Sequence, residues 1–142
     1  MSLTAANATI LISVPGLFDV PQQLQQFAAD EVYSTQSLKS AEVRMGVDGF
    51  LSGGFVYVEV VQGYTLQADS DSINIFDTWW ASQQVAQDVF TASGLILLPT
   101  LGKKWTLRKG FLTDYQPLPE AKKLLEPQKF SITWERVIPA LA

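Results

Sequence analysis

The chain has 142 residues, 47% hydrophobic and 17% charged, with a net charge of −4 and neither cysteine nor histidine. That apolar fraction is ample for a packed core and excludes wholesale disorder. The missing residue types exclude disulfides, thiolate zinc sites, cysteine nucleophiles and histidine general bases, and the acidic balance argues against a surface that grips nucleic acid phosphates.

In chain order, residues 8–14 (ATILISV) read as a buried strand ended by Pro15-Gly16, and Leu17 to Gln26 as polar and irregular. Glu31 to Ser37 and Ala41 to Val47 carry strand patterns. Val47-Asp48-Gly49 and the Ser52-Gly53-Gly54 cluster flank Phe50 and Leu51, which predicts a hairpin tip presenting two apolar side chains. Phe55 to Ala68 is the longest strand signal, with Val56, Val58, Val60, Tyr64, Leu66 and Ala68 on one face, Gln62 as the interruption and Gly63 as a bend or bulge. The period then changes. Ser70 suits a helix cap and Asp71 a first turn, and Ile73, Phe76 and Trp80, with Ile75 and Trp79 less tidily placed, predict an amphipathic helix from Asp71 to about Val89. Gly94 to Leu98 is a strand stopped by Pro99. Lys103 to Thr113 is a strand broken at Gly110, and Lys129 to Val137 is a strand with Phe130, Ile132 and Trp134 on its apolar face. Pro117, Pro119 and Pro127 bracket a short Glu120–Glu126 segment read as a helical turn. About seven strands and one helix, without repeats or a linker, predict a single domain over residues 1–142. Its fold class is mainly β, an antiparallel sandwich or barrel with one flanking α-helix.

The charge is unevenly distributed. Residues 1–100 hold ten acidic and two basic side chains, whereas residues 101–142 hold four acidic and eight basic ones. A chain polarised this way can attract a second copy of itself if the two regions lie on different surfaces; the alternative is that folding intermingles them. No segment reaches the run of roughly 18 apolar residues that spans a membrane. No Lys or Arg precedes the N-terminal apolar run as a secretory signal requires, so synthesis and folding in the cytoplasm are expected.

Signals for chemistry are weak. Asp69 and Asp71 fit the start of a helix better than a catalytic dyad, and DSDS at 69–72 lacks the remaining ligands of a calcium loop. No lysine stands at phosphate-loop spacing from Gly53-Gly54. Lys103, Lys104, Arg108 and Lys109 interleave with Trp105 and Phe111, a pattern used for single-stranded nucleic acid, but one equally expected of a strand with a core face and a solvated face. No catalytic, cofactor-binding or metal-binding residue emerges, and an enzyme is not expected. Two other classes stay open: a module holding a small apolar ligand or a carbohydrate with Trp79, Trp80 and Trp105, and a carboxylate hydrolase using Asp69, Asp71 or Glu59.

Several stretches together resemble tail tube proteins of bacteriophages, particularly those with contractile tails. They are Tyr64-Thr65-Leu66-Gln67-Ala68-Asp69-Ser70 leading to Phe76 and Trp79-Trp80; Leu98-Pro99-Thr100 with Gly102-Lys103-Lys104-Trp105; Gly110-Phe111-Leu112; Pro117-Leu118-Pro119; and Phe130-Ser131-Ile132-Thr133-Trp134-Glu135-Arg136-Val137. The resemblance covers about residues 53–139. It implies a tail-tube-like fold in which six subunits join edges into a ring lined by a continuous β-barrel. Rings would stack head to tail into a hollow conduit for genome ejection, in a virion tail assembled in the host cytoplasm. The implied partners are other copies of the chain, together with sheath, tape measure and baseplate proteins. DNA would be only a transient passenger, and no membrane or cofactor would be involved. A long hairpin usually contacts neighbouring rings in that family. Carried onto this sequence, it is Met45 to Phe55, with Met45, Asp48, Phe50, Leu51 and Phe55 as candidate interface residues. Glu31, Tyr33, Thr35 and Ser37 have the acidic and small neutral chemistry of a wall that does not bind polyanions. A tube from a bacteriocin or a secretion system, built on the same architecture, is the related alternative.

Overall fold

The structure is a computed structural model that describes residues 8–27 and 33–141. Its elements in chain order are β1 (Thr9–Val14), β2 (Phe18–Gln23), β3 (Tyr33–Thr35), β4 (Ala41–Met45), β5 (Leu51–Phe55), β6 (Val60–Leu66), α1 (Ile73–Ala86), β7 (Ala92–Leu98), β8 (Lys103–Tyr115) and β9 (Gln128–Leu141). Seven strands form one antiparallel sheet in the order β2-β1-β7-β8-β9-β6-β3, while β4 and β5 pair only with each other. The fold is therefore mainly β with one helix, as the strand and helix periodicities predict.

Alternation explains the core. Ile10, Ile12 and Val14 of β1, Val60, Tyr64 and Leu66 of β6, and Phe130, Ile132 and Trp134 of β9 are all buried on one side of the sheet. Residues between them point the other way, because successive side chains of a strand alternate. The stretch after β2 draws the two sides of the sheet together. Leu24 N–H donates to the Ile10 carbonyl at 2.9 Å, and Gln67 N–H donates to the Gln26 carbonyl at 2.9 Å. One short segment thus bridges β1 and the end of β6, curling the sheet around its core.

Five expectations change on folding. The polar stretch Leu17 to Gln26 contains strand β2, a hairpin partner of β1 that sits on the sheet edge, where Pro21 is tolerated because that margin has no strand neighbour among the described residues. The long strand from Phe55 to Ala68 is interrupted at residues 56–59, so that β5 belongs to a separate ribbon. Gly63 makes no bulge, since β6 and β9 keep register from Val60↔Trp134 to Leu66↔Gln128. Instead it makes room, because a Cβ there would come within 3.2 Å of Ser34 Oγ on β3. Strand β8 runs through Gly110 to Tyr115, and the irregularity falls beside it, where Lys109 takes a positive φ of 50° and the register with β7 shifts. The Glu120–Glu126 segment is not helical. An Ala121↔Leu125 bridge and a Glu126 N–H to Glu120 carbonyl bond of 2.9 Å make it a compact β-like loop.

Helix α1 lies on the core side. Its buried residues are Ile73, Ile75, Phe76 and Trp79, while Trp80 remains 41% exposed, so of the two tryptophans expected on the apolar stripe the less tidily spaced one is buried. Two contacts set this rotation. Phe76 stacks on Phe130 of β9 with ring centroids 4.4 Å apart, and Trp79 Nε1 donates to the Phe90 carbonyl at 3.1 Å. Ser70 is not the cap that its position predicts, and Asp71 is not in the first turn: the helix starts at Ile73 after Ser72, and Ser70 instead organises the preceding turn. Its hydroxyl accepts the Ser72 N–H at 3.2 Å and donates to the Gln25 carbonyl.

Candidate functional site

The most distinctive surface is the β4–β5 ribbon, hereafter the arm. Its register pairs Ala41 with Phe55, Val43 with Gly53 and Met45 with Leu51, and between them Glu42 with Gly54 and Arg44 with Ser52. Directly paired residues share a face in an antiparallel ribbon. One face is therefore Ala41, Val43, Met45, Leu51 and Phe55, and the other is Glu42, Arg44 and Ser52. Alternation of this kind normally means that the apolar side is covered. Here every residue of β4 and β5 is exposed, Phe50 at the tip to 73%. An isolated two-stranded hairpin is marginal in water, and a contiguous exposed apolar face usually marks an interaction surface.

The tip is well formed. Gly46 N–H donates to the Phe50 carbonyl at 2.8 Å, Asp48 Oδ1 accepts the Phe50 N–H at 3.3 Å, and Gly49 takes a φ of 88° that suits glycine. Of the candidate interface residues, Met45, Phe50, Leu51 and Phe55 are thus brought together with Asp48 on one exposed arm. The root is braced by an edge-to-face contact of Phe55 with Tyr57, at 4.9 Å between centroids.

The candidate wall residues are less unified. Glu31 lies outside the described residues. Tyr33 pairs with the buried Tyr64 and shares its face, so its ring packs toward the core and partial burial raises its hydroxyl pKa. Thr35 is exposed on the same strand, where its Oγ1 accepts a 2.9 Å bond from Gln62 Nε2, and Ser37 is exposed just beyond. That bond also explains how Gln62, the polar break in an apolar face, is buried. Its amide group donates to Thr35, and its carbonyl oxygen accepts the Tyr64 hydroxyl.

Sequence reasoning missed the opposite face of the sheet. Ser34, Gly63 and Ser131 lie in one cross-strand row on β3, β6 and β9, and Val61 pairs with Thr133 in the next. Thr133 Oγ1 bonds Thr113 Oγ1 at 3.2 Å, and Ser13 and Ser93 hydroxyls meet at 3.1 Å further across the sheet. This face is rich in small neutral hydroxyls. Lys129 bounds it on β9 at one end, and the Lys109–Glu135 ion pair at 3.6 Å bounds it at the other. The signal in the sequence is Ser131, Thr133 and Glu135, which alternate with Phe130, Ile132 and Trp134.

The two alternative chemistries find no assembled site among the described residues. Trp79 is in the core, Trp80 stacks on Tyr115 at 5.2 Å, and Trp105 packs against the core from β8. A cleft of about 360 Å³ lies over β1, β7 and β8, walled by Leu11, Ser13, Pro21, Gly94 and Arg108 without a tryptophan. Glu59 precedes β6 whereas Asp69 and Asp71 follow it, so the carboxylates flank a seven-residue strand instead of converging. No cluster of metal-ligating side chains forms among the described residues.

The family model described as tail fiber protein gp32 matches residues 1–138. The chain belongs to that family. No curated protein matches it. Among solved structures, this gp32-family chain shares its fold with chains of contractile injection machines. A chain in the extended sheath-tube complex of an extracellular contractile injection system, PVC, superimposes with a TM-score of 0.65 at 15% identity, over 94% of this chain and 88% of that one. One in the sheath/tube terminator of that system gives 0.61 at 15% identity over 99% and 97%. One in the tube-terminating cap of the anti-feeding prophage gives 0.59 at 10% identity over 100% and 94%. The gp32-family chain is thus a phage-tail-type structural protein with the fold found in these assemblies.

Proposed function

We propose that the protein is a tube subunit of a contractile-type tail: copies join side by side into hexameric rings, and rings stack into a hollow conduit for DNA. The observation that carries this reading is the arm, an amphipathic ribbon whose apolar face has no cover among the described residues. A structural subunit resolves that liability by burying the face against a sister copy.

The sheet supports the same reading through its margins. Strands β2 and β3 are its two outer strands, and each keeps one row of backbone groups without a strand partner among the described residues. Joining β2 of one copy to β3 of the next is a heterologous contact, which closes into a ring when the rotation divides a full turn. Ring closure turns the hydroxyl-rich face of β3, β6 and β9 into one wall of a channel. Ser34, Ser131 and Thr133 carry no positive charge, so this part of the face releases no counterions to a passing polyanion and does not retain it. Sheath, tape measure and baseplate components are the remaining proposed partners, and the virion tail is the proposed location.

A second reading has its own support. The fold is shared, at nearly full mutual coverage, with chains from terminator and cap complexes. A ring that ends or joins a tube would therefore look the same as a protomer. Negative-stain microscopy of the purified chain at rising concentration separates the readings. Open-ended tubes of uniform bore support the tube subunit, and rings that never stack support a terminal ring. A monodisperse monomer at all concentrations refutes both.

A further inference from the structure

The Pro-bracketed loop between β8 and β9 is built as firmly as a binding element. Gln116 ties it down at its base: Gln116 Oε1 accepts the Lys129 N–H at 3.0 Å, the Gln116 carbonyl accepts Gln128 Nε2 at 2.9 Å, and Gln116 Nε2 donates to the Leu118 carbonyl at 3.1 Å. The Ala121↔Leu125 bridge and a Lys122 N–H to Leu124 carbonyl bond at 3.2 Å close its tip. That tip displays Leu118, Leu124 and Leu125, exposed to 75%, 81% and 60%, beside Lys122 and Lys123. The ion pairs among the described residues are Lys39–Glu42 and Lys109–Glu135, so neither tip lysine has an acidic partner there.

The arm tip is the chemical complement. Between Met45 and Val58 the one charged residue is Asp48, flanked by Val47, Phe50 and Leu51. The arm tip is apolar with one acid, the loop tip is apolar with two adjacent lysines above Glu120 and Glu126 at its neck, and the topology keeps the two tips apart. The arm is rooted at the Val60 end of β6, where β3 leaves after pairing Thr35 with Gln62. The loop is rooted at the other end of β6, where Leu66 pairs with Gln128. Seven strand residues at roughly 3.3 Å each separate the two roots by about 20 Å. Elements at opposite ends of one strand satisfy each other most simply when copies repeat head to tail.

We infer that the arm of one copy docks on the β8–β9 loop of the next, with Phe50 and Leu51 against Leu124 and Leu125 and Asp48 facing Lys122 and Lys123. This inference rests on the tube reading and names the surface that receives the arm. A single exposed pair of opposite charges is weak, but repetition around a ring makes the contacts act together.

The cysteine-free sequence makes the test direct. A full-length chain carrying Phe50→Cys and Leu124→Cys, both at exposed positions, is assembled and oxidised, then run on a denaturing gel. A ladder of covalent multimers is expected, absent when Leu124→Cys is replaced by Val85→Cys on the outer side of α1. In parallel, Lys122→Glu with Lys123→Glu should lower the stacked fraction by about tenfold or more, and adding Asp48→Lys should restore most of it. Tubes that form without the ladder, or that ignore the charge reversal, overturn the docking while leaving the tube reading intact. A wild-type chain that never assembles overturns both.

Discussion

The Trp134 indole lies against Gly110 so closely that a Cβ placed on Gly110 would come within 2.5 Å of Trp134 Cε3. The two residues are direct cross-strand partners in β8 and β9, and the same indole reaches Gly94 of β7, where an added Cβ would lie 3.3 Å from Cη2. Two glycines on neighbouring strands thus form the bed for one of the two tryptophans buried in the core. Gly110→Ala should destabilise the protein by about 1–3 kcal/mol through overpacking. Gly54→Ala, on the arm with nothing within 4 Å, should stay within about 0.5 kcal/mol of wild type. Urea denaturation midpoints of the two variants check the contrast.

The adjacent tryptophans of α1 should behave very differently. Trp79→Ala empties a fully buried site beneath the helix and should cost about 3–5 kcal/mol. Trp80→Ala removes one stacked contact with Tyr115 and should cost about 0.5–1.5 kcal/mol. Equal losses in thermal melts would contradict the helix rotation described here.

Alkaline pH should loosen the fold. Burial drives the Tyr64 hydroxyl far above its usual pKa, and desolvation followed by the Asp77 carboxylate raises Tyr115 to about 12. Unfolded tyrosines ionise near about 10, so above that pH the unfolded chain gives up protons that the native chain keeps. This contribution is complete below about pH 10 and is lost as pH rises through about 12. Urea midpoints should therefore fall over that window, and Tyr64→Phe should flatten the fall.

Polar replacement on one side of the arm should separate folding from assembly. Val43→Thr with Met45→Gln and Phe55→Thr alters exposed positions only, so the protomer should melt within about 0.5 kcal/mol per site of wild type. Sedimentation velocity should show ring or tube formation abolished. Glu42→Gln, on the other face, should leave assembly unchanged.

Much of the core was legible because alternation is local. Ile10, Ile12 and Val14, and then Phe130, Ile132 and Trp134, follow the period of two wherever they are placed. The hairpin tip was equally readable, since Gly46 to Gly49 has few other conformations to offer. Strand β2 was not, because an edge strand containing Pro21, Gln22 and Gln23 shows no apolar rhythm and is held by its pairing with β1. The break between β5 and β6 was hidden for a related reason: Phe55 to Ala68 alternates throughout, yet the chain changes partners at residues 56–59.

By itself, the sequence determined the mainly β class, the single amphipathic helix, the exposed Phe50–Leu51 turn and the absence of cysteine and histidine chemistry. These depend on composition and on neighbours a few residues apart. Only the tertiary structure decided that Trp79 goes inside and Trp80 outside, that Gln62 is buried against Thr35 and Tyr64, and that the arm leaves the sheet with its apolar face uncovered by the described residues. Each of those outcomes turns on groups that are distant along the chain. Side-chain period says which residues share a face, but only the folded partners determine whether that face is covered.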